Sequence, residues 1–260
     1  MGGFIAVLYG IIAYVMFLAT FVYAIAFIGD IVVPKTIDSG RPGPLLEALI
    51  VNVILLGVFA VQHSVMARQG FKRWWTRIVP QSVERSTFVL FATAALALLL
   101  WQWRPMPDVV WSVQNPIAIA AIQAAFWLGW GVLLLSTFLI NHFELFGLRQ
   151  VVARLMGWKI PAPQFRTPFL YKRVRHPLYL GFMIACWAAP TMTQGHLLFA
   201  VVCTGYILIG IFFEERDLVD LFGERYRNYR RQVSMLIPLP GRKYAESEAS
   251  DRAPAGLKTH

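Results

Sequence analysis

Charged residues are scarce in this 260-residue chain: 15% are Asp, Glu, Lys or Arg, against 57% that are apolar. A soluble domain carries about 25% charge, so the shortage excludes an ordinary soluble protein and points to an integral membrane protein. Acidic residues are the rarer kind, 14 against 24 Lys and Arg, giving a net charge of +10. That excess does not mark nucleic acid as a partner, because the basic residues are scattered between apolar runs with no recognition motif. Loop charge that fixes membrane orientation accounts for it. Cysteine is nearly absent. Cys186 and Cys203 both fall inside apolar sequence, which argues against a disulfide framework or a zinc site and leaves them as small buried hydrophobes. No metal is expected. A dinucleotide fingerprint is also missing: Gly129-Trp130-Gly131 has no strand before it and reads as a packing feature. No positive residue precedes the first apolar run, which is longer than a signal peptide's 7 to 15 residues, so it reads as a retained span despite Ala24-Ile25-Ala26 near its end.

Apolar runs long enough to cross a hydrocarbon core of about 30 Å are plentiful. They predict spans over Phe4–Ile28, about Leu45–Met66, about Ser86–Trp103 and Ile117 to about Ile140. Polar Glu47, Asn52, Gln62 and His63 in the second span are expected to face the protein interior or water. His63 reads either as an interfacial histidine satisfied by a neighbour or as a pocket residue. Asn141, His142 and Glu144 open the next segment and would line a cavity rim, unless they are helix-end polarity beside an aromatic cluster. Pro161, Pro163 and Pro168 keep that segment irregular. A tight hairpin over 177–213 follows, then an amphipathic helix over 214–233 with Leu218, Phe222, Tyr226, Tyr229 and Val233 on one face. The fold class expected is therefore all-α: a polytopic transmembrane bundle with a C-terminal helical hairpin and a cytosolic amphipathic helix. It divides into a four-span bundle (1–140), a core (141–243) and a disordered polar tail (244–260). Of the 24 Lys and Arg, 21 fall in segments on one side and only Lys35, Arg41 and Arg104 on the other. Both termini and the hairpin's mouth are thus expected in the cytoplasm, in a bacterial inner membrane.

The chemistry concentrates at that mouth. Arg175, His176 and Tyr179 stand at the hairpin's entry, and Glu214, Glu215 and Arg216 at its exit. Carboxylates and cations together suit a ligand carrying an ammonium and a carboxylate, such as an amino-acid head group. Gly181 would let a ligand or a facing helix approach closely. The plainer reading is that Arg175 and Glu215 neutralise each other while Tyr226 and Tyr229 anchor a helix among lipid headgroups.

Arg175-His176-Pro177-Leu178-Tyr179-Leu180-Gly181, Glu214-Glu215, Phe222-Gly223, Tyr226, Tyr229 and Ile237-Pro238 together resemble the signature of the isoprenylcysteine carboxyl methyltransferase and phospholipid methyltransferase superfamily. Tyr9–Ile28, Gln62-His63-Ser64 and Asn141–Leu148 look like its nurim-related branch, most closely the bacterial methanethiol S-methyltransferases. The resemblance implies methyl transfer from S-adenosyl-L-methionine to a small volatile thiol within a lipid bilayer, giving dimethyl sulfide from methanethiol. It implies a cofactor held by His176, Tyr179, Gly181, Glu214 and Glu215, with Arg175 beside them and Arg216, Tyr226 and Tyr229 helping. His142, then His63, would be the base or thiol-positioning group if there is one. Ser234-Met235 departs from the Pro-Arg-like pair of prenylcysteine enzymes, which disfavours a bulky prenyl substrate. Other small thiols, lipid amines, prenylcysteine carboxylates and a non-catalytic nurim-like scaffold are the alternatives, and a haem or quinone protein using His63 and His142 is a third class.

Overall fold

The computed structural model of the chain describes residues 2–241 and 244. Five helices are long and apolar enough to cross a membrane: α1 (Gly3–Ile28), α2 (Leu45–Ala67), α4 (Gln81–Gln102), α5 (Pro116–Ile140) and α9 (Gln194–Phe222). Shorter helices complete the set: α3 (Gln69–Trp75), α6 (His142–Leu145), α7 (Leu148–Met156), α8 (Pro177–Trp187) and α10 (Glu224–Gln232). Ile5, Leu46, Phe91 and Phe212 are exposed on the long helices, an outer surface suited to hydrocarbon and costly in water.

The spans occupy nearly the predicted places, and several boundaries differ. The basic stretch after α2 carries α3, and α4 starts five residues early at Gln81. The hairpin's second arm does not stop at Phe213. Helix α9 continues to Phe222, so Glu214, Glu215 and Arg216 lie on the spanning helix itself. The break comes at Gly223, whose φ of 57° and ψ of −131° suit glycine alone, and only then does α10 begin. The expected 20-residue amphipathic helix is therefore the end of α9 plus a nine-residue helix. Of the polar tail, Tyr244 is buried against Tyr229 and Phe165, while residues 245–260 lie outside the described residues.

Packing holds α8 in place. A Cβ on Gly181 would meet Gly129 O at 2.5 Å, and one on Gly129 would meet Gly181 O at 2.6 Å, so α5 and α8 touch backbone to backbone through a reciprocal glycine pair. Small residues at a seam are how membrane helices gain close van der Waals contact. Around it sit Phe27, Trp103, Phe126, Trp130, Leu133, Ala185 and Phe199, the centre of the largest core. Eleven residues carry α8 only about 16 Å at 1.5 Å per residue. Beyond it the chain turns into strand β2 (Thr191–Thr193), paired antiparallel with β1 (Val109–Ser112). No alternating pattern foretold this ribbon. It meets the α1–α2 loop where Thr193 donates to Asp38 at 2.6 Å, and His196 Nε2 engages the Cys186 carbonyl freed by the end of α8 at 2.9 Å. Irregular backbone at membrane depth requires such internal partners.

Candidate functional site

At the opposite end of the bundle, the segment entering α8 is fastened to the segment leaving α10. Arg175 N donates to Ser234 O at 2.9 Å and His176 N to Met235 O at 3.1 Å, beside a parallel bridge between Val174 and Ser234. Backbone groups alone make these bonds, so the departure noted at Ser234-Met235 leaves the join intact. Pro177 occupies the first position of α8, where its missing N–H costs nothing. His176 is thereby held at a helix end, facing α9.

Glu215 is the hub. Its Oε1 accepts from Arg175 Nε at 2.7 Å and lies 3.1 Å from His176 Nε2, while its Oε2 is 3.7 Å from Arg230. Arg175 also donates from one terminal nitrogen to Val233 O at 2.5 Å and to Arg230 O at 3.0 Å. His176 and Glu215 are buried, so this is an interior ion pair with its guanidinium largely satisfied. On the other ring nitrogen, His176 Nδ1 is 3.8 Å from Glu214 Oε2. Tyr179 stacks on the His176 ring with centroids 5.7 Å apart and lies beside Glu214.

Among the described residues, several polar atoms here are buried and without hydrogen-bond partners: Glu214 Oε2, the Tyr226 hydroxyl and the Ser234 hydroxyl. Burial, with the Glu215 carboxylate nearby, raises the Tyr226 pKa above the ordinary phenol range. Tyr229 differs from Tyr226, because its hydroxyl is spent on Tyr171 O at 2.5 Å and its ring packs with Phe165, Tyr226 and Tyr244. Neither tyrosine faces headgroups, for both are buried. Burial and Glu214 likewise raise the Tyr171 pKa. Ser234 and Tyr171 were absent from the sequence-based set, as neither stands in the motif residues and both arrive through chain pairing.

Not every predicted residue joins. Arg216 is exposed, with its guanidinium 5.8 Å from the centre of the Phe212 ring on the outer side of α9. Gly181 serves the facing helix α5. Asn141 donates to Glu144, which also takes Arg149, so these polar residues are helix-end partners of one another. His142 is buried and has both nitrogens engaged: Thr137 Oγ1 on Nδ1 and the Tyr14 hydroxyl on Nε2, each at 2.8 Å. The Thr137 hydroxyl donates to Leu134 O. Its oxygen thus accepts from Nδ1–H and leaves Nε2 to accept from Tyr14, the arrangement of a neutral imidazole. Burial lowers the His142 pKa, in keeping with that form. His63 lies between the rings of Phe59 and Phe88, at 5.6 and 5.0 Å, with its Nδ1 buried and unpartnered. Among the described residues, no hydrogen bond, ion pair or ring contact joins either histidine to His176.

A cavity of about 440 Å³ opens on the 3₁₀ turn Phe169–Lys172, lined by Phe169, Leu170, Lys172 and Arg173, none of them a predicted site residue. A second, of about 170 Å³, lies between α2 and α9.

The chain is 58% identical over 239 residues to a methanethiol S-methyltransferase of Mycobacterium tuberculosis, covering 92% of this chain and 98% of that one. It is 58% identical to methanethiol S-methyltransferase 1 of Bradyrhizobium diazoefficiens, over 90% of this chain and 82% of that one. Nurim of Danio rerio is 31% identical over 196 residues, 70% of this chain and 68% of its own. No family model matches. No solved structure matches either.

Proposed function

Because the chain belongs to the methanethiol S-methyltransferase family, we propose that it transfers a methyl group from S-adenosyl-L-methionine to methanethiol, releasing dimethyl sulfide. The observation that carries the site is the set of unpartnered buried atoms beside the Arg175–Glu215 pair: Glu214 Oε2, Tyr226 OH and Ser234 Oγ. A buried polar atom left without a partner costs about 1 to 3 kcal/mol, and a polar ligand restores that loss. The chemistry fits this donor. A carboxylate at Glu214 takes the methionine ammonium, hydroxyls at Tyr226 and Ser234 suit its carboxylate or the ribose, and the Tyr179 ring flanks the adenine.

Glu215 and Arg175 shape the site by fixing His176. Tyr229 and Gly181 support it from behind, and Arg216 stays outside. When bound, S-adenosylmethionine would supply an electrophilic sulfonium methyl for the thiolate, and the departing thioether sulfur would take the electron pair of the broken S–C bond.

Ionising the thiol is the protein's task. A simple thiol has a pKa of about 8.5 or higher, leaving a few per cent ionised near neutrality. A positive charge about 4 Å away at an effective dielectric of about 20 contributes on the order of 4 kcal/mol, or roughly three pKa units. A dedicated base is therefore not required, and the thiol proton leaves to water. His142, with neither nitrogen free, holds α1 to α5 in this reading; His63 keeps the open nitrogen of the two. With 21 of 24 Lys and Arg on the side of the site, the cofactor enters from the cytoplasm and both termini lie there.

Headspace gas chromatography over purified protein given S-adenosylmethionine and methanethiol tests the reading. Dimethyl sulfide that requires the cofactor and falls sharply in Glu214→Gln is expected. Cofactor binding without product would move the acceptor to another thiol, a lipid amine or a prenylcysteine carboxylate. No binding and no product would leave a membrane scaffold.

A further inference from the structure

The second cavity has a composition of its own. Ser64, Val65 and Arg68 of α2's end face Ile209, Gly210 and Phe213 of α9 across about 170 Å³. Pockets for drug-sized ligands begin at about 300 Å³, and a water in the liquid takes about 30 Å³. The space admits a molecule of a few heavy atoms and excludes a nucleoside.

Its polar groups are few and connected. Ser64 donates to the Tyr206 hydroxyl at 3.2 Å, leaving the Tyr206 proton to be donated elsewhere. Arg68 lies 4.3 Å over the Phe213 ring and 3.5 Å from Asp217, whose exposed carboxylate offsets its charge only in part. Tyr206 is also an electrostatic neighbour of Tyr179, which stacks on His176. Phe213 immediately precedes Glu214. Consecutive residues of α9 thus belong to the cavity wall and to the proposed cofactor site. Val65, Ile209 and Phe213 are exposed on the flank of the bundle, so the opening has an apolar surround.

Apolar walls, the Ser64 hydroxyl and one guanidinium match a small alkanethiol, which is apolar while it carries its proton and anionic after losing it. We infer that this α2–α9 cavity receives the thiol, with Ser64, itself held by Tyr206, positioning its sulfur and Arg68 favouring the anion. The inference rests on the methyl-transfer reading and adds the place of the acceptor.

Gly210 offers a clean test, since a Cβ there meets nothing within 4 Å. A leucine there starts from open space at the cavity wall. Gly205, on the same helix and equally open, serves as control outside the cavity. In Gly210→Leu the KM for methanethiol should rise about tenfold or more, the scale of an apolar group's loss from a pocket. The Kd for S-adenosylmethionine should stay constant, and Gly205→Leu should behave as wild type. A wild-type KM in Gly210→Leu, or an equal rise in both variants, overturns the assignment. Arg68→Gln gives a second reading, independent of how the leucine folds: the pH profile of kcat for methanethiol, which reports the bound thiol, should move to higher pH, and an unmoved profile removes Arg68 from the role. Wild-type protein that makes no dimethyl sulfide at all would instead sink the methyl-transfer reading.

Discussion

Removing the Glu215 carboxylate would leave the Arg175 guanidinium and the His176 ring without their shared acceptor in a buried position. Breaking a buried pair from one side costs about 3 to 5 kcal/mol, so Glu215→Ala should show a large drop in thermal midpoint in detergent before any effect on binding can be read. Glu214 is the better probe of the ligand, because its side chain is 43% exposed and its inward oxygen is unpartnered. In Glu214→Ala, calorimetry should find an unchanged midpoint and S-adenosylmethionine binding weaker by about 1.5 to 3 kcal/mol, the range of a charge-assisted bond. His142 predicts a pH effect of definite sign. Burial puts its folded pKa below the unfolded value near 6.5, so its contribution to stability is complete above that value and is lost as pH falls through it. The midpoint of wild type should therefore decline more steeply below about pH 6.5 than that of His142→Gln; parallel declines would contradict the neutral imidazole. At this scale the clustering of His176, Tyr179, Glu214 and Glu215 was legible because their chemistry is dense and local. Ser64 and Tyr206 were not, being 142 residues apart, and nothing in either neighbourhood signals the other.

The elements tell a different story about what hydropathy measures. Apolar runs found every long span, yet the end of α9 was placed nine residues too early, at Phe213 in place of Phe222. Charge at Glu214–Asp217 marks where hydrocarbon ends. It does not mark where a helix ends, for glutamate and arginine are good helix formers. The true stop is a backbone event at Gly223. The seam between α5 and α8 was legible only as a packing role for Gly129, since its partner Gly181 could equally have faced a ligand. Gly181→Ala would place a methyl 2.5 Å from the Gly129 carbonyl, forcing the helices apart at a cost of about 1 to 3 kcal/mol. A lowered thermal midpoint is the expected result, with Gly131→Ala, where a Cβ meets open space, as the neutral comparison. If Gly181→Ala melts like wild type, the helices do not touch as described.

For the whole molecule, scarcity of charge and the uneven placement of Lys and Arg were enough to read a polytopic bundle, because a bilayer imposes length and composition on anything that crosses it. The β1–β2 ribbon and the loops it gathers escaped the sequence, as strands of four and three residues carry no period. They matter for how the protein is made. An insertion machinery recognises segments of about 17 to 25 apolar residues, and α8 has 11. It cannot partition into lipid on its own account. It must wait for α9 to pull the hairpin across and for the glycine seam on α5 to receive it. A nascent chain cut before Gln194 should leave Pro177–Trp187 outside the bilayer, reactive to a membrane-impermeant thiol reagent at Cys186, whereas in the complete protein that cysteine is buried and protected. The cluster at the hairpin's mouth therefore takes shape only once α9 and α10 have been made, and a product cut before Gln194 lacks it.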